Sequence, residues 1–184
     1  KLKQVEIAEN IDFWTWISST KIALITATSV WHCDITTPGT TADKIFDRDA
    51  RLNGAHIMGY KVNNSGQWCF LYGIAANEAK VIEGKLQLYM IEKKQGQYLD
   101  GFVGTFAEMP VGNSKDYVNS LFSFVERKPG DPVTRIHIME IGNPNGGEQK
   151  FKKTSEVAFP PDVQGDFPVI MHAVNKSGLI FVVS

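Results

Sequence analysis

The stretch from Phe13 to His32, FWTWISSTKIALITATSVWH, decides the fold of this chain. It places three runs of apolar, β-branched and aromatic residues only a few positions apart: Phe13 to Ile17, Ile22 to Thr26, and Val30 to Ile35. Runs of this length with short polar breaks between them are typical of antiparallel strands joined by tight turns. The stretch therefore predicts a unit of three hairpin-linked strands.

The same pattern recurs downstream, where Ile57 and Val103 open two further sets at intervals of 44 and 46 residues. A propeller blade repeats about every 40–45 residues. A polar-apolar segment follows each set and predicts a fourth, outer strand at Lys44 to Arg48, Gln97 to Phe102 and Lys152 to Phe159. The other predicted strands are Ile57 to Val62, Trp68 to Ile74, Leu86 to Ile91, Val103 to Glu108, Leu121 to Glu126, Arg135 to Ile141, Val169 to Val174 and Leu179 to Val183.

One segment, Ala75 to Lys94, is rich in Ala, Glu, Lys and Leu and has the composition of a helix. Gly84 lies in its middle, and Leu86, Leu88 and Met90 alternate with more polar neighbours. This period of two favours a loop followed by a strand over a helix. Turn residues such as Asn63 to Gly66 separate the other runs.

The composition limits the classes of partner. Lys and Arg total 19 against 20 Asp and Glu, which gives a formal net charge of -1 and excludes a basic nucleic-acid binder. Hydrophobic residues make up 43% of the chain, enough for a packed core. The longest apolar runs have strand length, well below the roughly 20 residues of a membrane helix.

The two cysteines, Cys33 and Cys69, lie in apolar, strand-like contexts, and we expect buried free thiols in a reducing compartment. We expect Trp14, Trp16 and Trp31 to fill the core.

Catalytic signals are weak, because the four histidines lack zinc-ligand spacing and no nucleophile elbow or phosphate loop is present. We expect no enzymatic activity, no cofactor and no metal.

At Phe13 to Ser18, Ile22 to Thr26 and Val30 to His32, the chain resembles the amino-terminal propeller of the clathrin heavy chains. The resemblance continues in order through Phe46-Asp47-Arg48, Gly84 to Tyr89, Ser120 to Phe124 and Phe159 to Val169, and it covers essentially all residues. It implies an all-β fold, a fragment of a seven-bladed β-propeller with roughly three to four four-stranded antiparallel blades. We expect residues 1–184 to form a partial propeller domain with its beginning missing.

The resemblance also implies binding sites for short motifs of adaptor proteins in grooves between blades. Carried over by position, Trp68 and Leu88 form an apolar slot, while Lys93, where the family usually has Arg, and Gln97 supply polar contacts. A second pocket would use His56, Met58 and Ile74, where the family more often has Gln and Ile in place of the first two. Lys1 matches one basic position of the clathrin-box groove, the rest of which lies before it.

The function implied is that of a vesicle-coat component in clathrin-mediated endocytosis and intracellular transport, at the cytoplasmic face of coated pits and vesicles. Its implied partners are adaptor and accessory proteins, with heavy-chain trimerisation and light-chain binding through regions outside this chain. The membrane is then contacted only through adaptors, and nucleic acid is not a partner. Two alternatives stay open: a propeller that is only a structural or lattice spacer, and a propeller hydrolase.

Overall fold

The computed structural model describes residues 5–37, 39, 41–110, 118–128, 131, 133–141, 152–158, 168, 171–175 and 179–183. The described residues form strands and one short 3-10 turn at Ala50–Leu52, which confirms the all-β prediction. The strands are β1 Ile11–Trp16, β2 Lys21–Thr26, β3 Ser29–Asp34, β4 Asp43–Asp47, β5 His56–Val62, β6 Trp68–Ala76, β7 Ile82–Met90, β8 Gln95–Asp100, β9 Val103–Pro110, β10 Val118–Arg127, β11 Val133–Ile141, β12 Lys152–Ala158, β13 Met171–Asn175 and β14 Leu179–Val183.

Twelve of these strands form three four-stranded antiparallel sheets, β1 to β4, β5 to β8 and β9 to β12, and β13 pairs with β14. Within each sheet every strand lies beside its neighbours in the chain, as in a propeller blade. Each predicted fourth strand is present, with bounds shifted by two residues or fewer at each end. The prediction of repeated four-stranded units is confirmed.

The segment after β6 forms a strand rather than a helix, as predicted, although β7 begins at Ile82 instead of Leu86. Gly84 is buried, and a Cβ atom at this position would lie 2.6 Å from the carbonyl carbon of Gly101 and from the Cα of Phe102. The Gly101 N–H donates to the Gly84 carbonyl over 3.2 Å. Glycine at position 84 therefore permits close contact between the two backbones.

By its contacts, the chain divides into two compact units, Lys1–Ala75 with Lys85–Leu99, and Ala76–Gly84 with Asp100–Ser184. The core of the first unit is a cluster of buried side chains from its strands and the 3-10 turn: Ala23, Ile25, Val30, Phe46, Leu52, Ile57, Tyr60, Cys69, Leu71 and Tyr89. Fully burying a Leu or Ile side chain contributes about 1.5–3 kcal/mol, so this cluster is a main source of the unit's stability.

A partly buried polar contact between His32 and Tyr60 adjoins this core. The His32 Nε2 atom lies 2.8 Å from the Tyr60 hydroxyl oxygen, and the two rings meet edge to face at 5.6 Å between centroids. Burial, with a smaller contribution from Lys21, lowers the pKa of His32 from 6.5 to about 4. The imidazole is therefore neutral in the folded protein at neutral pH.

The second unit is organised around aromatic rings on β9, β10 and β11. Successive centroids lie 5.4 Å apart for Phe106 and Phe122, 5.9 Å for Phe122 and Phe124, and 4.7 Å for Phe124 and His137. The ring of His137 also bonds to the Glu126 carboxylate over 2.9 Å. The Phe106–Phe122 and Phe124–His137 contacts join directly paired residues of neighbouring strands and so favour the observed register of the third sheet.

The expectation that Trp14 and Trp16 fill the core is wrong, because their exposed fractions are 58% and 53%. Strand residues alternate between two faces, and on β1 the half-buried face that packs against the core is that of Phe13. Trp31 is half-buried, and its indole N–H donates to the Ser29 hydroxyl over 2.8 Å. Cys33 and Cys69 are buried free thiols, as predicted.

Candidate functional site

Trp68 opens β6 beside the turn that joins it to β5, and this turn fixes its position. The backbone N–H of Trp68 donates to the Asn63 side-chain oxygen, and the Asn63 N–H donates to the Trp68 carbonyl, both over 2.9 Å. Asn63 is itself buried, and its amide nitrogen donates to the Ser65 hydroxyl over 2.9 Å. Gly66 completes the turn with a φ of 73°, a left-handed conformation that glycine adopts readily.

Alternation along β6 and β7 determines which side chains share a face with the indole. Cys69 on β6 and Tyr89 on β7 belong to the core of the first unit, and the Tyr89 ring stacks on Phe46 at 4.5 Å between centroids. Their neighbours Trp68 and Leu88 consequently project from the opposite face of the same sheet. Leu88 is buried, with 2% of its surface exposed, whereas Trp68 is half-buried.

Strand β8 supplies the remaining wall of a pocket beside these two residues. The pocket has a volume of about 440 Å³, and five residues line it: Trp68, Leu88, Gln95, Gly96 and Gln97. We call it the Trp68 pocket. Its volume lies in the range of about 300–1,000 Å³ that is usual for ligand sites. None of the lining residues carries a charge, so the pocket combines an apolar floor with amide groups at one side.

Contacts on the opposite face of β8 hold this wall in place. The Arg51 guanidinium carbon lies 4.0 Å from the centroid of the Tyr98 ring, and the Arg51 side chain also bonds to both carboxylate oxygens of Asp49. These bonds lower the pKa of Asp49 to about 2. At Gly96, an added Cβ atom would lie 3.2 Å from Tyr89 Cδ2, so the strand runs close above the Tyr89 ring.

Of the four residues that the sequence assigns to the adaptor slot, the structure brings Trp68, Leu88 and Gln97 together in one pocket. Lys93 lies in the turn between β7 and β8, is exposed, and is not among the lining residues. In the sequence, Lys93 precedes Gln95, the first residue of the pocket wall, by two positions. Its role as a contact for an acidic flank stays a prediction.

A second pocket, of about 680 Å³, contains two of the three residues predicted for the other site. His56 and Met58 line it, together with Asp12, Phe13, Ala27, Arg48, Gly54, Ala55 and Ile57. Ile74 pairs with His56 across β5 and β6 but does not line this pocket. Lys1, the predicted remnant of the clathrin-box groove, lies outside the described residues.

Arg48 at the base of the second pocket has a structural role. Its guanidinium donates to the carbonyl of Thr26 over 2.7 Å and to that of Leu52 over 2.8 Å. Its side chain is 2% exposed, the carboxylate of Asp12 lies 3.7 Å away, and burial lowers the pKa of the guanidinium. Arg48 thus joins the last residue of β2 to the 3-10 turn after β4.

The sequence does not reveal Gln95 and Gly96 as lining residues of the Trp68 pocket, or Asn63 as the residue that holds the Trp68 backbone. The sequence of Asn63 and its neighbours indicates only a turn, and the polar start of β8 has no apolar alternation that would indicate a pocket wall. The described residues include no group of three or more His, Cys, Asp or Glu side chains that could hold a metal ion. No helix in the described part of the chain is long and apolar enough to cross a membrane.

Sheets of four sequential antiparallel strands, repeated along the chain, define the class: this is a β-propeller-type repeat protein. Over its whole length the chain is 38% identical to the clathrin heavy chain of Drosophila melanogaster, 37% to clathrin heavy chain 2 of Homo sapiens and 35% to probable clathrin heavy chain 1 of Caenorhabditis elegans. No family model matches the chain. The chain belongs to the clathrin heavy chain family and spans 11% of the length of these relatives.

Proposed function

We propose that the chain is a peptide-binding part of a clathrin coat and that the Trp68 pocket captures short linear motifs of adaptor and accessory proteins. The observation that carries the proposal is the convergence of Trp68, Leu88 and Gln97 on one uncharged pocket of about 440 Å³. Membership of the clathrin heavy chain family supports the same assignment. In this proposal residues 1–184 are part of one propeller domain, and the chain acts by binding rather than by catalysis.

The chemistry of the pocket suits an extended peptide with spaced Leu or Ile side chains. Trp68 and Leu88 offer apolar surface on which such side chains lose contact with water. Burial of two leucines contributes roughly 3–6 kcal/mol before ordering costs of similar size. The affinity of one site should therefore be weak, on the order of 10–1000 μM.

Weak single sites suit a coat in which many copies engage many adaptors, because simultaneous contacts raise the overall affinity. Lys93 would attract the acidic flank of a motif, and because it is exposed its contribution should be small and sensitive to salt. The pocket that contains His56 and Met58, with the neighbouring Ile74, is proposed as a second motif site. Lys1 would belong to a third.

Regions outside this chain would supply heavy-chain trimerisation and light-chain binding. The assembly would act at the cytoplasmic face of coated pits and vesicles, in endocytosis and intracellular transport. Contact with the membrane would then be indirect, through the adaptors. The net charge of -1 supports the absence of direct binding to acidic lipid headgroups or nucleic acid.

The test is a titration of the full chain with a fluorescein-labelled peptide that carries two leucines and an Asp-Asp flank. We expect saturable binding by the wild-type chain and a loss of at least tenfold in Trp68→Ala. Trp14→Ala is the matched control, because it removes another indole that is 58% exposed and does not line the pocket. Equal affinity of Trp68→Ala and wild type would contradict the proposed site.

A further inference from the structure

The first residues of β8 form a wall with an unusual chemistry for an apolar slot. Gln95 and Gln97 lie two positions apart on a strand, so their side chains share the face that lines the Trp68 pocket, with Gly96 between them. All three residues are exposed. Two neutral amides on one side of the pocket stand opposite the apolar surface of Trp68 and Leu88.

Neither amide is used for folding. Within the described part of the chain, the side chains of Gln95 and Gln97 form no hydrogen bond, whereas the Gln87 amide on the other face of the sheet bonds to Asp47 and Asp49. Each glutamine therefore keeps an NH₂ donor pair and a carbonyl acceptor available to a ligand.

The spacing of the two amides matches the backbone of an extended peptide. Residues i and i+2 of a strand lie about 6.6–6.8 Å apart, and an extended ligand beside β8 repeats its outward N–H and C=O groups at the same interval. β8 is also the last strand of its sheet, so no further strand of the sheet covers its outer edge. A peptide can then place alternate side chains on Trp68 and Leu88 while its main chain faces the two amides.

We propose that Gln95, together with Gln97, binds the main chain of the motif that occupies the Trp68 pocket. This inference rests on the proposed function. It makes Gln95 a residue that positions the peptide backbone without selecting its sequence, because a side-chain amide bonds to main-chain groups of any sequence; the apolar surface of Trp68 and Leu88 then selects the side chains. Since no lining residue is charged, the pocket takes an uncharged apolar segment in an extended conformation. Acidic residues in the motif lie outside the pocket, on the side of Lys93.

The experiment uses the same labelled two-leucine peptide and a second set of peptides, each N-methylated at one amide in or beside the leucine segment. Gln95→Ala and Gln95→Leu remove the amide, and Gln95→Leu keeps most of the apolar contact area. Gln67→Ala is the matched control, because Gln67 is an exposed glutamine in the turn before β6 and does not line the pocket. Circular dichroism and thermal melting check that each variant is folded.

We expect both Gln95 variants to bind the parent peptide about three- to tenfold more weakly, as for the loss of a neutral hydrogen bond. The loss should be the same at low and high salt, unlike that of Lys93→Ala. For at least one N-methylated peptide, the fold-loss of affinity when N-methylation and Gln95→Ala are combined should be smaller than the product of the two separate fold-losses. The reason is that both changes remove the same hydrogen bond.

Wild-type affinity of both Gln95 variants, with binding still lost in Trp68→Ala, would overturn the inference and leave the proposed function intact. Losses that multiply for every N-methylated peptide would overturn main-chain recognition. Absence of binding by the wild-type chain would overturn the proposed function and, with it, this inference.

Discussion

Acidification should destabilise the chain through His32. The imidazole is half-buried beside the core of the first unit and hydrogen-bonded to Tyr60, and its partial removal from water lowers its pKa from 6.5 to about 4. In the unfolded chain the same group takes up a proton as the pH falls through 6.5. The unfolded state therefore binds more protons between pH 6.5 and 4, so the free energy of unfolding falls across this window and levels off below it.

The magnitude follows from the two pKa values. A lowering from 6.5 to about 4, at about 1.4 kcal/mol for each tenfold change in proton affinity, is worth about 3 kcal/mol in full. Between pH 7 and pH 5 the linkage gives a loss of about 2 kcal/mol from this one group. Against a typical domain stability of about 5–15 kcal/mol, such a loss is readily measured.

The assay is urea denaturation followed by circular dichroism at pH 7, 6 and 5, with wild type and His32→Gln. Glutamine does not titrate and can still bond to the Tyr60 hydroxyl, so the difference between the two proteins isolates the imidazole. We expect wild type to lose about 2 kcal/mol more than His32→Gln between pH 7 and pH 5. Parallel pH profiles of the two proteins would refute the reasoning.

Three further changes have defined outcomes. Gly84→Ala forces a methyl group to within 2.6 Å of the Gly101 backbone and should lower the free energy of unfolding by about 2–3 kcal/mol, measured by denaturant unfolding. Asn63→Ala removes the acceptor for the Trp68 N–H and should cost about 1–2 kcal/mol of stability as well as weakening peptide binding, and Asn63→Asp should restore most of both. Lys93→Ala should weaken binding of an acidic-flanked peptide less than Trp68→Ala, and titrations at rising salt should show the difference from wild type disappearing.

Most of the strand framework could be predicted because hydrophobic alternation is a local property. The run Ile22 to Thr26 differs from the observed β2, Lys21–Thr26, by one residue. The period of two in the segment after Ala75 also predicts the observed strand β7 despite the segment's helical composition. The start of β7 was missed by four residues because the pairing of Ile82 and Glu83 depends on neighbouring strands that the local pattern does not reveal.

The faces of the first strand could not be predicted. Alternation separates Trp14 and Trp16 from Phe13, but it does not show which face of the strand packs against the core. The large apolar area of an indole by itself favours burial, which gives the wrong face here. The structure places Phe13 against the core and leaves both indoles more than half exposed. Tertiary packing, rather than side-chain hydrophobicity, decides the burial of this strand.

The candidate site was predictable only in part for the same reason. Trp68, Leu88 and Gln97 came from the resemblance to the family, and the structure brings them together because β6, β7 and β8 are adjacent. Gln95 and Gly96 join them through that adjacency, which involves residues far apart in sequence. No local signal distinguishes a polar strand that forms a pocket wall from one that is merely solvated.

The central claim, capture of a peptide by the Trp68 pocket, is tested most directly by fluorine NMR of the chain labelled with 5-fluorotryptophan. The four tryptophans give four resonances, which single Trp→Phe variants assign, and three of these residues lie outside the pocket. On titration with the two-leucine peptide we expect the Trp68 resonance to shift or broaden in a saturable way while those of Trp14, Trp16 and Trp31 stay in place. A bound peptide that moves another tryptophan resonance and leaves Trp68 unchanged would contradict the account.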